Sequence, residues 1–128
     1  MLTTVIGTSQ GRSEWAAQAL ASVPGEAIVV SVPGYEIGKL RWVVENTNLR
    51  RFLFIQDSVV LNPGLYDILS NFEHSVALLD DPVTFGCYLG VYERWALIET
   101  GFPNIALKSE AVEAERWWTE KYLRECGS

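Results

Sequence analysis

Short β-type segments alternate with amphipathic segments along most of this chain, and this alternation constrains its fold more than any other feature. Leu2–Thr8, Ala27–Val32 and Phe52–Ile55 have the length and apolar character of buried strands, and apolar residues at helical spacing follow each of them. Strands and helices that alternate in this way build βαβ units around a largely parallel sheet. The sequence therefore predicts a three-layer α/β domain of Rossmann-like type, with a mainly parallel sheet flanked by helices.

The helices and the remaining strands are predicted from periodicity and from turn residues. Ser13 is the expected N-cap of the first helix, because its hydroxyl can accept a hydrogen bond from a free backbone N–H. The expected apolar faces are Ala16, Ala19, Leu20 and Val23; Ile37, Leu40 and Val44; Leu65, Ile68, Leu69 and Phe72; and Ala111, Ala114, Trp118 and Tyr122. The expected bounds are Glu36–Glu45, Tyr92–Thr100 and Ser109–Arg124 for three helices, and Ser75–Leu79 and Phe85–Val91 for two strands. Ala27–Val32 is expected to be covered on both faces.

Composition excludes several classes of function. The chain has 128 residues and a formal net charge of −6, with 10 basic residues scattered among 16 acidic ones, so no nucleic-acid surface is expected. Cys87 and Cys126 are too few for a disulfide framework and are expected to be reduced thiols. No apolar run approaches the roughly 20 residues of a transmembrane helix, and no signal peptide is recognisable. We expect one domain over residues 1–128, soluble and cytoplasmic.

Polar residues that follow the first three strands form the main candidate site. In open parallel sheets, ligands bind beyond the carboxyl ends of the strands, where the loops meet. Thr8–Arg12, Pro33–Tyr35 and Gln56–Ser58 occupy these positions, and Asp57 follows its strand almost directly. A carboxylate at this edge can hold a divalent cation that neutralises a diphosphate, or it can cap the turn after the strand. The residues alone leave both roles open.

Residues 52–63, Phe-Leu-Phe-Ile-Gln-Asp-Ser-Val-Val-Leu-Asn-Pro, resemble the segment of GT-A glycosyltransferases in which a buried strand leads into an acidic metal-binding motif. Gly34–Asn48 is similar to the glycine-containing helix that precedes this motif in the family. Phe85–Gly90, the helix after it and the pair Gly101-Phe102 resemble the acceptor-side strand and helix. The resemblance extends over about residues 2–103 and keeps the order of the family's segments.

This resemblance implies transfer of a sugar from a nucleotide-sugar donor, linked to UDP or GDP, to an unidentified acceptor. It implies that Asp57 binds Mn²⁺ or Mg²⁺. The donor-binding residues that it implies are Thr8, Ser9, Arg12, Gln56, Asp57 and Ser58. An inverting transfer would also need a carboxylate base that accepts a proton from the acceptor hydroxyl. The candidates for this catalytic base are Asp81, Glu113 and Glu115, with Asp80 beside the first.

Two alternatives stay open. Gln56 and Ser58 stand where the family usually has further carboxylates, which favours a module that binds sugar nucleotides without turnover. The second alternative is a receiver-like signalling domain with Asp57 as the phosphoacceptor, because such domains also have a lysine after their fifth strand, the place of Lys108 here. Lys39 is not assigned to a site, because Gly34–Leu40 lacks the spacing and the Ser/Thr of a phosphate-binding P-loop.

Overall fold

A computed structural model describes residues 2–71, 76–77, 89–103, 110, 113–114, 117–118 and 120–122. The strands are β1 (Thr3–Gly7), β2 (Ala27–Val30), β3 (Arg51–Gln56), β4 (Val76–Ala77) and β5 (Leu89–Glu93). The helices are α1 (Ser13–Ser22), α2 (Tyr35–Asn46), α3 (Pro63–Ser70) and α4 (Arg94–Thr100). The described residues between 110 and 122, here called the last helical segment, also have helical backbone.

The strands form one mixed sheet in the order β2-β1-β3-β5-β4. β1 is parallel to both β2 and β3, whereas β5 is antiparallel to β3 and β4 is antiparallel to β5. The strands therefore run in one direction except for β5. In the register, Gly7 is opposite Val30 on one side and Gln56 on the other, so the first three strands end at the same edge of the sheet.

Helices cover both faces of the sheet. One face packs on α2, α4 and the last helical segment, and its core is Val5, Val30, Ile37, Leu40, Val43, Phe52, Phe54, Tyr92, Ala96, Leu97, Trp118 and Tyr122. The other face packs on α1 and α3, and its core is Leu2, Ile6, Ala19, Leu53, Ile55, Leu61, Tyr66, Leu69 and Val91. The predicted α/β class is confirmed. In the described part of the chain, no helix has the length and hydropathy that crossing a membrane requires.

The predicted helices differ in detail from those in the structure. Arg12, not Ser13, is the N-cap of α1, because the carbonyl of Arg12 accepts the first helical hydrogen bond from the Ala16 amide at 3.0 Å. Leu20 is 45% exposed, since α1 packs on the sheet through the small residues Ala16 and Ala19. In α3, Ile68 is 58% exposed and Tyr66 is buried in its place.

The hydroxyl of the buried Tyr66 has a hydrogen-bond partner, since it donates to the carbonyl of Leu2 at 2.5 Å. Phe72, the fourth residue of the expected face of this helix, lies outside the described residues.

Two strand predictions are corrected. β2 is an edge strand that pairs only with β1 among the described residues, and the sheet order explains why Val29 is 43% exposed instead of covered. Tyr92 was expected to begin a helix but belongs to β5, where it pairs with Phe52, and α4 begins only at Arg94. Ser75, 78–79 and 85–88 of the two later expected strands lie outside the described residues.

Of the apolar side predicted for the last helical segment, Ala114, Trp118 and Tyr122 pack on the core, and Ala111 lies outside the described residues. Trp118 and Tyr122 are buried and stack on each other, with ring centroids 5.6 Å apart. The indole N–H of Trp118 donates to the carbonyl of Gly101 at 2.6 Å, and the Glu93 amide donates to the hydroxyl of Tyr122 at 2.8 Å. These bonds tie the segment to both ends of α4.

The first turn of α2 lies against the loop that follows β2. A Cβ atom on Gly38 would stand 2.2 Å from the carbonyl oxygen of Pro33, which is far inside van der Waals contact. The amide of Gly38 also donates to the carbonyl of Gly34 at 2.9 Å. Glycine at position 38 therefore allows the helix and the loop to approach closely, and this approach fixes the place of the loop at the edge of the sheet.

We expect Gly38→Ala to destabilise the chain by about 1–3 kcal/mol, because the new methyl group forces the Pro33 carbonyl and α2 apart. In an unconstrained helix the same substitution would instead stabilise by roughly 0.5–1 kcal/mol. Urea unfolding followed by far-UV circular dichroism measures the difference. Glu45→Ala, on the exposed side of α2, is the control and should change stability by less than about 0.5 kcal/mol. A stabilising Gly38→Ala would contradict the close contact.

Candidate functional site

A cleft of about 460 Å³ lies at the carboxyl ends of β1, β2 and β3. This volume is within the range of small-molecule binding sites. Its lining combines the loops after the three strands with the first turns of α2: Gly7, Thr8, Ser9, Arg12, Val32, Pro33, Gly34, Tyr35, Glu36, Lys39, Gln56, Asp57 and Ser58. The six residues expected to bind the donor all belong to this lining, as does the loop after β2.

Asp57 is the centre of a hydrogen-bond network that joins the ends of β1 and β3. Its amide donates to the carbonyl of Gly7 at 2.9 Å, which continues the parallel ladder by one residue. The Nε and Nη2 atoms of Arg12 donate to Oδ2 and Oδ1 at 2.7 and 2.9 Å, a bidentate pairing. The hydroxyl of Thr8 donates to Oδ2 at 2.8 Å. The carboxylate is thereby held in one orientation at the floor of the cleft.

These contacts determine the protonation state of the carboxyl group. Burial raises the pKa of Asp57, since its side chain is only 7% exposed. The hydrogen bonds from Arg12 and Thr8, together with the attraction of Arg12 and Lys39, outweigh burial and hold the pKa below its ordinary value. Asp57 is therefore ionised at neutral pH and is paired with a guanidinium group.

Arg12 keeps a free edge that faces solvent. Its side chain is 41% exposed, and its guanidinium carbon lies 5.3 Å from the ring centroid of Trp15, within the range of a cation–π contact. The pairing with Asp57 uses two of the five guanidinium N–H groups, and the other three are unused by the residues that the structure describes. The ionised partner raises the pKa of Arg12 through its hydrogen bond, so this charge is permanent.

Lys39 is a buried cation in the wall of the cleft. The residue is 6% exposed, and its Nζ donates to the carbonyl of Tyr35 at 3.2 Å. Its stem lies across the end of β1, where a Cβ atom on Gly7 would stand 2.7 Å from Cδ of Lys39. The absence of a side chain at Gly7 thus makes room for Lys39. An ammonium group has three donors, so two are unused by the described residues.

The wall formed by α2 carries a second carboxylate and a strained residue. Glu36 accepts a hydrogen bond from the side-chain amide of Gln56 at 2.9 Å, which connects α2 to the end of β3. Tyr35 has a φ of 58°, in the left-handed region that non-glycine residues rarely adopt. Backbone strain of this kind concentrates at functional sites, because the surrounding structure must maintain it.

The donor set of the cleft does not fit a divalent cation. Oδ2 of Asp57 accepts two hydrogen bonds and Oδ1 accepts one, so a single lone pair of the carboxylate is free, beside a guanidinium group. The other carboxylate of the lining, Glu36, is bonded to Gln56. Among the described residues, no group of three or more His, Cys, Asp or Glu side chains is arranged to hold a metal ion. Binding of Mn²⁺ or Mg²⁺ at Asp57 stays a prediction from the sequence.

The expected catalytic bases are not brought to this cleft by the described residues. Glu113 is exposed on the last helical segment and does not belong to the lining. Asp81 and Glu115 lie outside the described residues, as do Asp80 and Lys108.

A second cleft of about 360 Å³ adjoins the first and shares one of its walls. Both clefts are lined by Val32, Pro33 and Gly34, and the second is completed on its other sides by α2 and by Phe102 and Pro103.

Lys39 and Glu36 are residues of the site that the sequence pattern did not single out. The pattern marks α2 as an amphipathic helix with Ile37 and Leu40 in the core, and a lysine between them is ordinarily solvated. The signal for a buried Lys39 is the glycine that ends β1, because only a residue without a side chain there makes room for the lysine stem.

Comparisons with protein-family models, with curated proteins and with solved structures found no match for this chain.

We expect the stability that Asp57 contributes to depend on pH. Because the pKa of Asp57 is lowered by folding, this contribution is complete above the unfolded-state pKa of about 4. It is lost as the pH falls through the lower folded-state pKa. The free-energy difference between the wild type and Asp57→Asn should therefore be largest at neutral pH and should shrink as the pH falls below about 4.

Urea unfolding from pH 7 to pH 3 measures this difference. Asp67→Asn, on the exposed side of α3, is the control and should change the free energy of unfolding at pH 7 by less than about 0.5 kcal/mol. A difference between wild type and Asp57→Asn that stays constant down to pH 3 would show that the ionised pair with Arg12 does not stabilise the fold.

Proposed function

We propose that this chain is a GT-A-like glycosyltransferase domain that binds a nucleotide sugar in the cleft at Asp57 and transfers the sugar to an acceptor. One observation carries the proposal: Thr8, Arg12 and Asp57, which the family resemblance selects, meet in a single hydrogen-bond network. Thr8 and Arg12 are 49 and 45 residues from Asp57 in the sequence. The network lies where open α/β sheets bind their ligands.

The chemistry of the cleft suits an anionic, hydrogen-bonding ligand. Unused N–H groups of Arg12 and Lys39 are available to phosphate oxygens, and the residues after β1 and β3 offer hydroxyl and amide groups to a sugar or a base. The volume is sufficient for part of a nucleotide, with the remainder extending toward solvent.

The position of β5 supports an acceptor on the side of β3. β5 pairs with β3 along Arg51–Ile55 and continues into α4, which ends at Gly101 before Phe102. This is the strand and helix order that the resemblance assigns to the acceptor side. On this proposal, Asp57 lies between the loop after β1, which we assign to the donor, and β5, which we assign to the acceptor side.

Binding without transfer is the second candidate, and the Arg12–Asp57 pair favours it. A carboxylate that is already neutralised by a guanidinium group is poorly suited to the metal-assisted chemistry expected from the family motif. A cytoplasmic location stays a prediction in either case.

The described residues do not favour the receiver-like alternative. Among the described strands, β5 is antiparallel to β3, whereas that alternative has a parallel sheet; Lys108 and the run 105–107 before it lie outside the described residues.

The proposal predicts that UDP or GDP stabilises the chain. At a ligand concentration of about 100 times Kd, binding adds roughly 2.7 kcal/mol of stability, which raises Tm by several degrees. A thermal-shift screen of nucleoside diphosphates, with Mn²⁺ or with EDTA, measures the shift. Release of nucleoside diphosphate from a panel of UDP- and GDP-sugars measures hydrolysis or transfer.

Arg12→Gln should weaken nucleotide binding by about tenfold or more, because it removes a charged donor from the cleft. The matched control is Arg50→Gln, which makes the same change at an exposed residue beside the opposite end of β3 and should bind like the wild type. Binding without turnover would select the second candidate. If no nucleotide binds under either condition, both candidates fail.

A further inference from the structure

We infer that the cleft holds the diphosphate of its ligand directly through Lys39 and Arg12, with no divalent cation between the protein and the phosphate groups. The identity of the ligand as a nucleoside diphosphate rests on the proposed function. The anion site itself rests on the geometry of the two cations and of Asp57.

Lys39 supplies the strongest reason to infer that the protein binds the phosphate groups directly. Lys39 lines the cleft, the residue is 94% buried, and the hydrogen bond from its Nζ to the Tyr35 carbonyl is long, at 3.2 Å. Two of its N–H groups are unused by the described residues and are available to an acceptor in the cleft. Phosphate oxygens are suitable acceptors for both, and lysine commonly binds phosphate groups as a point charge.

Arg12 supplies the second cation and is fixed in place. Its pairing with Asp57 on one edge and its contact with Trp15 restrict the guanidinium group, so its three free N–H groups lose little further entropy when an anion binds. Asp57 is thus a positioning residue for Arg12, and this role explains why its oxygens face protein donors instead of a cation site.

The two carboxylates of the cleft, Asp57 and Glu36, do not prevent an anion from binding to Arg12 and Lys39. The lining has one negative charge for each positive charge, but Asp57 has three of its acceptor positions filled and Glu36 is bonded to Gln56. The donors of Lys39 and Arg12 are largely unused. The two cations keep five N–H groups that the described residues do not use, and the acceptor capacity left on the carboxylates is mostly that of Glu36, so Arg12 and Lys39 stay available to an anion.

The test is isothermal titration of the full chain with inorganic pyrophosphate and with UDP and GDP, each in EDTA and in Mn²⁺. We expect pyrophosphate to bind in EDTA, with a Kd within about threefold of the value in Mn²⁺. Lys39→Met keeps the apolar stem and removes the charge, and it should raise the Kd for pyrophosphate about tenfold or more. Lys121→Met is the matched control, since Lys121 is bonded to the Thr100 carbonyl away from the cleft and should not affect binding.

Asp57→Asn separates the two modes of binding by opposite results. If a cation linked Asp57 to the phosphates, this variant would lose binding. If Lys39 and Arg12 bind the anion directly, the variant still binds pyrophosphate in EDTA, and any change in Kd that follows from the loss of the partner of Arg12 is the same in EDTA and in Mn²⁺.

A measurement on the wild type covers the case in which Lys39→Met does not fold. Pyrophosphate in EDTA should slow the acetylation of Lys39 by acetic anhydride and leave that of Lys121 unchanged, as followed by mass spectrometry. Equal acetylation of Lys39 with and without pyrophosphate would count against the site.

The outcomes distinguish this inference from the proposed function. Binding of nucleoside diphosphates only in Mn²⁺, lost in Asp57→Asn, would overturn the direct anion site and leave the proposed function standing. Binding of pyrophosphate in EDTA without binding of any nucleotide would support the anion site and overturn the proposed function. Equal affinity of Lys39→Met and the wild type for pyrophosphate would overturn the inference, and no binding of any probe would overturn both.

Discussion

β1 lies between two parallel partners, and the placement of every functional side chain described here depends on that arrangement. Because β1 pairs with β2 and β3 in matching register, the chain leaves three strands at one edge of the sheet within the reach of a single small molecule. The amide of Asp57 still bonds to Gly7, and the amide of Thr8 bonds to Val30, so the backbone is fixed up to the residues that carry the chemistry. The side-chain network of Arg12, Thr8 and Asp57 then connects the loop after β1 to the end of β3.

The sequence pattern predicted the class of fold and the edge of the sheet at which the site lies, because both follow from strands that end in polar loops. It did not predict which strand is at the edge, since an apolar run such as that of β2 has the same sequence in a central and in an outer position. It assigned Tyr92 to a helix because the contacts that hold Tyr92 in β5 are not local in sequence. The aromatic cluster that holds Tyr92 in β5 depends on Trp118 and Tyr122, which are distant in sequence.

The candidate site shows the same division between local and tertiary information. Asp57 and Arg12 were predicted from their positions after strands, which is local information. Their bidentate contact was not predicted, and it changes the chemistry, since a paired carboxylate is a weaker metal ligand than a free one. Lys39 was missed because its burial depends on a residue from another strand, Gly7, having no side chain.

The loop of Val32, Pro33 and Gly34 separates the two clefts and lines both of them. Gly38 packs against the Pro33 carbonyl with no space for even a methyl group, so the loop cannot move closer to α2 at this point. A displacement of the loop that widens one cleft must narrow the other or move the first turn of the helix. The widths of the two clefts therefore depend on each other, because both are determined by the position of the same loop.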